Sequence, residues 1–155
     1  MKRYLVLFAL IALLVLPASS QAIELAVGLN QTSFSEDADA IDSDNGVTVD
    51  FTLGDGMARL MFSLVDAEPE GLDYNALMAG VAFVLDAGFD FRVFALLSKH
   101  ELETLEGSGI TLGGAFGFPI LPAAEIVGDI RLSQWDDSGF DVGTGTISLM
   151  LRLEI

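Results

Sequence analysis

The stretch ISLMLRLEI, residues 147–155, decides the fold because every second residue in it is apolar. The apolar positions are Ile147, Leu149, Leu151, Leu153 and Ile155. The positions between them include Ser148, Arg152 and Glu154. Successive side chains of a β-strand point to opposite faces of the sheet, so this alternation predicts a strand with one apolar face and one polar face.

The same two-residue period recurs along the chain after residue 22, for example in IELAVGLN (23–30) and FDFRVFALLS (89–98). Turn signals between such runs predict strands at 23–34, 46–54, 56–66, 73–85, 88–99, 109–118, 123–134 and 141–155. Tight turns containing Gly or Pro, at 54–56, 86–88 and 119–122, alternate with longer acidic connections at 35–45, 67–72, 100–108 and 135–140. Short turns at one end and long loops at the other are typical of outer-membrane barrels. We therefore predict an all-β, eight-stranded antiparallel up-and-down transmembrane β-barrel.

The first 22 residues differ from the rest and are predicted to be a cleaved signal peptide. Lys2 and Arg3 precede an apolar run over residues 4–16, which ends at Pro17 and is followed by small residues up to Ala22. Basic, apolar and small-residue segments in this order are typical of secretory signals. The run is shorter than the ~20 residues of a membrane-spanning helix. We expect cleavage near Ala22, leaving residues 23–155 as one barrel domain located in the outer membrane.

Composition excludes several classes of protein. Without Lys2 and Arg3, five basic residues stand against 23 acidic ones, a net charge of about −18, which disfavours nucleic acid as a partner. The chain is too apolar to be disordered, since 52% of its residues are hydrophobic. It contains no cysteine, so no disulfide holds the exported domain together.

The positions of the charged residues are an independent check on the predicted strands, because those strands rest on apolar residues and turn signals alone. Fifteen of the 23 acidic residues fall in or beside the long connections, and Asp55 and Asp86 fall in tight turns. The remaining six acids and all four arginines after residue 22 lie on the polar phase of their strands. These ten residues are Glu24, Asp50, Arg59, Asp90, Arg92, Glu125, Asp129, Arg131, Arg152 and Glu154. An arginine facing lipid near the membrane midplane costs roughly 2–4 kcal/mol, so the shared phase predicts a charge network inside the barrel.

An eight-stranded barrel is just wide enough for its side chains to fill the interior. We therefore expect a lumen filled by ion pairs, with no open pore. A soluble periplasmic barrel of the lipocalin type is the main alternative, but it would place apolar residues inside around a ligand and polar residues outside. A narrow channel is a further alternative, which the inward arginines disfavour.

On this pattern the chain resembles the small eight-stranded outer-membrane barrels, including the OmpA transmembrane domain, the OmpX and opacity-protein group, and YfaZ-type proteins. Residues 147–155 resemble the C-terminal signal by which the barrel-assembly machinery recognises its substrates, although that family usually ends in Phe and this chain ends in Ile155. The resemblance implies insertion by that machinery and contact with outer-membrane lipid and lipopolysaccharide. We expect a monomer without a cofactor, acting in a non-enzymatic structural or surface-interaction role.

Ser98 and His100 are the one place where a nucleophile and a histidine fall close together, with Glu101 and Glu103 nearby. Some outer-membrane lipid A deacylases use a similar pair on one strand, so a lipid-modifying enzyme is another alternative. That chemistry requires the pair to face lipid, whereas the predicted register turns both residues inward. We therefore predict no catalytic site.

The first long connection carries five acids within nine residues. They are Glu36, Asp37, Asp39, Asp42 and Asp44. Their spacing does not fit an EF-hand, since Leu53 occupies the position of the bidentate glutamate when the loop is aligned from Asp42. We expect a solvated acidic loop, with weak divalent-cation binding as the alternative. Trp135, just before Asp136, is interpreted as an interface anchor near the outer rim.

Overall fold

The computed structural model describes residues 22–36, 41–86 and 88–155, which form a closed antiparallel barrel of eight strands. The strands are β1 (Ile23–Glu36), β2 (Asp44–Leu53), β3 (Ala58–Ala67), β4 (Tyr74–Asp86), β5 (Asp90–Leu102), β6 (Leu105–Leu121), β7 (Ala124–Asp137) and β8 (Phe140–Glu154). Each strand pairs with the next, and β1 also pairs with β8, so the sheet has no free edge. The predicted eight-stranded up-and-down barrel is confirmed. The predicted signal peptide lies outside the described residues apart from Ala22.

The predictions of long connections at 100–108 and 135–140 are wrong, because both connections are short in the structure. β5 continues to Leu102 and β6 begins at Leu105, while β7 continues to Asp137 and β8 begins at Phe140. Ser138 and Gly139 join the second pair with φ of 52° and 92°, the positive values that a tight hairpin turn requires. The charges around these turns indicated loops in the sequence. Backbone pairing, however, depends on a neighbouring strand rather than on apolar side chains, so the strands extend as charged hairpins.

The two ends of the barrel carry different connections between strands. We call the end carrying residues 41–43, 68–73, 103–104 and 138–139 the loop end, and the end carrying residues 54–57, 88–89 and 122–123 the turn end. A single 3-10 turn, Pro69–Gly71, lies in the loop-end connection between β3 and β4. Across the described part of the chain, no helix is both long enough and apolar enough to cross a membrane.

The two faces of the sheet carry different residues. Large apolar side chains on the outer face are exposed, among them Leu29, Leu60, Phe83, Phe91, Leu97, Ile110, Leu112, Phe118, Ile130, Leu132, Ile147 and Leu149. Most inward positions are buried, and they include charged residues such as Asp129, Arg131 and Arg92. This is the inverse of a water-soluble barrel, whose apolar residues fill the interior.

Candidate functional site

The most distinctive chemistry of the described barrel lies in its lumen, where side chains form a lower, a middle and an upper layer, with hydroxyl and amide groups between the middle and upper layers. The lower layer, nearest the turn end, consists of Glu24, Arg59, Asp90, Arg92, Glu125 and Arg152. Arg92 lies at its centre and forms two-pronged contacts on both sides. Its Nη1 and Nη2 are 2.5 and 3.1 Å from the Glu24 carboxylate, and its Nε and Nη2 are 2.6 and 2.5 Å from Asp90.

The remaining lower-layer residues extend this cluster in both directions. Arg59 binds the Glu24 carboxylate. Arg152 reaches Asp90 at 3.3 Å and Glu125 at 2.8 Å. Three arginines thus alternate with three carboxylates, so the layer is formally neutral. Charge-assisted, two-pronged contacts of this kind are among the stronger hydrogen bonds in proteins.

Gly117 on β6 leaves the space that this network occupies. A Cβ atom at Gly117 would lie 2.7 Å from Oε2 of Glu125 and 3.2 Å from Nη1 of Arg152. Any larger residue would therefore displace an ion pair. Small inward residues are the local reason why long charged side chains fit into so narrow a barrel.

The middle layer is built around Arg131, which is completely buried. Its Nη2 donates to Asp50 Oδ2 at 2.6 Å and also to Asp129 Oδ2, and its Nε donates to Asp129 Oδ2 at 2.9 Å. Nη1 donates to the Ser63 hydroxyl. The Phe94 ring lies 5.4 Å from the guanidinium carbon, within cation–π range.

Hydroxyl and amide groups occupy the lumen above the middle layer, toward the loop end. Asn30 donates to Thr48 at 3.0 Å, and Thr48 lies 3.2 Å from Ser148. The hydroxyls of Thr32 and Thr146 are 3.1 Å apart. These cross-strand bonds satisfy buried polar groups, which would otherwise destabilise the interior.

The upper layer, near the loop end, is aromatic. The Tyr74 hydroxyl lies 2.8 Å from His100 Nδ1, and His100 Nε2 lies 2.9 Å from the Ser98 hydroxyl. The Trp135 indole stacks on the His100 ring at 5.1 Å with an interplanar angle of 5°. Phe34 completes the cluster through an edge-on contact with Tyr74. These rings are buried inside the barrel near the loop end.

Trp135 corrects a sequence-based interpretation. It was interpreted as an interface anchor, but its side chain points inward and is 2% exposed. Its position has the same phase as Arg131 and Ser133 on β7, which are also buried. The two-residue period of the strand therefore predicts the inward position of Trp135 correctly, whereas the preference of tryptophan for membrane interfaces does not.

The position of Trp135 can be tested through its fluorescence, because it is the only tryptophan of the chain. We expect lipids with brominated acyl chains to quench wild-type emission much less than emission from the double variant Trp135→Phe/Leu132→Trp. That variant moves the indole to an outward position of the apolar belt on the same strand, which is 66% exposed. Equal quenching of the two proteins would contradict the lumenal position.

The Ser98–His100 pair forms a hydrogen bond, but no described carboxylate orients the histidine. Both residues face inward, and Ser98 and His100 are 5% and 0% exposed. The His100 Nδ1 partner is the Tyr74 hydroxyl. Glu101 instead binds Lys99 at 3.0 Å, and Glu103 accepts a hydrogen bond from the Asp73 backbone at 3.1 Å. The outward orientation that a lipid-modifying enzyme requires is absent.

Two groups of predicted residues are only partly placed in this arrangement. Glu154 follows the inward phase but lies at the end of β8, where it is exposed and outside the lower-layer ion pairs that the structure describes. In the acidic loop, Asp37, Asp39 and the Glu36 side chain lie outside the described residues. Asp42 is exposed, and the Asp44 carboxylate accepts a hydrogen bond from the Asn45 backbone at 2.6 Å. Weak cation binding by this loop stays a prediction.

Comparison with known proteins shows a shared fold at low sequence identity. No protein-family model and no curated protein sequence matches the chain. Neisserial surface protein A superposes with a TM-score of 0.60 at 14% identity, over 90% of this chain and 99% of that one. Ail, the attachment invasion locus protein of Yersinia pestis, gives 0.60 at 16% identity over 88% and 100% of the two chains. OprG of Pseudomonas aeruginosa gives 0.58 at 8% identity over 86% and 95%.

These neighbours show that the chain has the fold of small eight-stranded outer-membrane β-barrels. A further structure of Ail contains the heparin analogue sucrose octasulfate. At these identities the likeness extends to the fold alone.

Proposed function

We propose that this chain is a non-enzymatic outer-membrane barrel whose lumen is filled by ion pairs and whose acidic loop end interacts with the cell surroundings. The observation that carries the proposal is the pairing of an exposed apolar outer face with an interior that buries charged residues. Soluble proteins do not expose so large a continuous apolar surface to water. A membrane-embedded barrel does so because its exterior contacts lipid.

The limits of the apolar belt support this placement. At the loop end the outward residues change from apolar to polar within two positions. Leu29 is followed by Gln31, Leu97 by Lys99 and Leu132 by Gln134. Past this boundary, the outer surface carries the ion pairs of Lys99 with Glu101 and Glu106, at 3.0 and 3.2 Å. The apolar outward rows of several strands thus end at a common boundary. Such a boundary is expected where the hydrocarbon of a membrane gives way to lipid headgroups and water.

The ion pairs and the ring stack inside the lumen support a structural role over transport. Arg92 and Arg131 lie across the lower and middle layers, and the Trp135–His100 stack occupies the upper layer. A solute would have to break buried ion pairs to pass. A soluble ligand-binding barrel is also disfavoured, since it would require an apolar interior.

The loop end carries a surface role in this proposal, and its charge limits the possible partners. Its exposed acids include Glu103, Asp136 and Asp141, while Lys99 is engaged by two glutamates. A polyanion such as the heparin analogue bound by Ail would be repelled by this surface. Cationic partners, or anionic lipopolysaccharide bridged by divalent cations, fit it better.

The remaining parts of the proposal concern biogenesis and surroundings. A signal peptide cleaved near Ala22 would export the chain, and residues 147–155 would be recognised by the barrel-assembly machinery. In the membrane the monomer would contact lipid and lipopolysaccharide through its apolar belt. The closed fold supports insertion without a partner subunit, because every strand already has two neighbours.

Electrophoresis of the outer-membrane fraction, unheated and boiled in detergent, tests the proposal. We expect the unheated protein to migrate faster, because a closed barrel of eight strands resists cold detergent and stays compact. A variant with Leu149→Pro, which removes a backbone donor between β8 and its neighbours, should lose this compact band. Recovery of the wild-type protein in the soluble periplasmic fraction, without a mobility shift, would contradict the membrane assignment.

A further inference from the structure

The middle layer differs from the lower layer in its charge balance. The lower layer pairs three arginines with three carboxylates, whereas in the middle layer two carboxylates share Arg131. Asp50 and Asp129 are 5% and 2% exposed. With both carboxylates ionised, the layer would carry one uncompensated negative charge in the barrel interior. Such a charge is strongly unfavourable in surroundings that water does not reach.

The unused hydrogen-bonding atoms of this layer lie on the same two residues. Asp50 Oδ1 and Asp129 Oδ1 are buried and have no hydrogen-bond partner within the part of the chain that the structure describes. The second oxygen of each carboxylate, Oδ2, binds the same Nη2 atom of Arg131. Both carboxyl groups therefore contact the same nitrogen atom, and each has one oxygen without a hydrogen-bond partner among the described residues.

We propose that Asp50 and Asp129 together bind one proton, taken up from solvent when the barrel folds. The proton converts one carboxylate into a carboxylic acid, whose O–H can donate to the unsatisfied oxygen of the other. A single proton thereby removes the surplus charge and supplies a partner for both orphaned oxygens. A divalent cation such as Ca²⁺ takes six or more oxygen ligands, whereas a proton requires only the two that are present.

The other charged groups around the layer cannot replace this proton. On β3, β5 and β8, the inward cations Arg59, Arg92 and Arg152 are engaged by lower-layer carboxylates. Glu24 on β1, Asp90 on β5 and Glu125 on β7 are the partners of those arginines. His100 on β5 lies in the upper layer and contacts Tyr74 and Ser98. The inward positions of β6, and those of β4 from Tyr74 to Val84, include no charged group, and Asp86 at the end of β4 lies opposite Asp90 of the lower layer.

Asparagine substitutions test the proposal. Asp50→Asn and Asp129→Asn each remove one negative charge and keep an oxygen for Arg131, so each variant should unfold at the same denaturant concentration as wild type, or at a higher one. The double variant should unfold at a lower concentration, because Arg131 then has no anion. Asp90→Asn is the matched control in the balanced layer and should also unfold earlier. If either middle-layer single variant is destabilised as much as Asp90→Asn, the proposal is wrong.

The pH dependence supplies an independent measurement on the same purified barrels. A folded state that binds one more proton than the unfolded chain loses stability as pH rises. The wild-type unfolding equilibrium constant should therefore rise, relative to that of Asp129→Asn, by up to about tenfold per pH unit above the range in which free aspartate titrates. Parallel pH profiles for the two proteins would overturn the proposal.

Infrared spectroscopy identifies the bound species where a variant fails to fold. The wild-type barrel at neutral pH should show the carbonyl stretch of a protonated carboxylic acid, which shifts in D₂O and disappears in either single variant that folds. Absence of this band from the wild type would overturn the proposal. So would an unfolding midpoint that changes when Na⁺ is exchanged for K⁺ or Li⁺ at constant ionic strength, since that result would indicate a bound metal cation.

Discussion

Replacement of Arg131 by methionine (Arg131→Met) is expected to destabilise the folded barrel by about 3–5 kcal/mol, the usual cost of removing one partner from a buried ion pair. Asp50 and Asp129 would remain in the interior without a cation, and the Phe94 ring would lose its charged neighbour. Methionine fills part of the arginine volume, so the loss reports mainly on charge. Denaturant unfolding of the purified barrel, followed by the shift between compact and extended gel bands, measures it.

Arg59→Met is the matched control, because Arg59 belongs to the lower layer at the turn end and is 16% exposed. Water can solvate the Glu24 carboxylate left behind, so we expect a clearly smaller loss. The loss of stability caused by Arg131→Met should also be smaller at acidic pH, because a protonated carboxyl group needs no cation in the interior. Equal losses in the two variants would show that the lumen is hydrated throughout. A rise in conductance across planar bilayers for Arg131→Met would favour the narrow channel instead.

The second large effect is expected on the outer face. Leu149 lies in the middle of the outward row of β8, is 65% exposed, and pairs with Leu29 and Gly128. Leu149→Arg would place a charge in hydrocarbon, with an expected cost of roughly 2–4 kcal/mol. The fraction of protein that folds into lipid vesicles, compared at increasing denaturant concentrations, measures this cost.

Met57→Arg is the corresponding control, because Met57 is equally exposed at 65% but lies in the turn between β2 and β3. An arginine there can reach the interface, where the cost falls to about 0–1 kcal/mol. If Leu149→Arg were tolerated as well as Met57→Arg, or raised the yield of soluble protein, the outer face would contact water. The proposed function would then fail together with the membrane assignment.

The sequence predicted the fold because a two-residue period carries enough information for it. Each strand shows its face assignment in its own residues, so residues 147–155 alone identify Arg152 as inward and Leu149 as outward. The same rule places Trp135 inside, on the phase of Arg131, and it predicts the position of this side chain better than the general preference of tryptophan for interfaces. The acidic residues near positions 103 and 138 likewise indicated loops, because charge marks exposure to water and not the absence of backbone pairing.

The sequence could not predict which side chains form ion pairs with one another inside the lumen. Arg131 binds Asp50 across 81 residues of chain, and Arg92 binds Glu24 across 68. Phase identifies which side chains point inward, but the stagger of the closed sheet decides which of them meet at the same height. Only the closed barrel separates a balanced lower layer from a middle layer with two carboxylates and one arginine. The local sequence therefore determined the faces of every strand, and tertiary closure determined the ion pairs, because a contact across a barrel depends on the register of all eight strands at once.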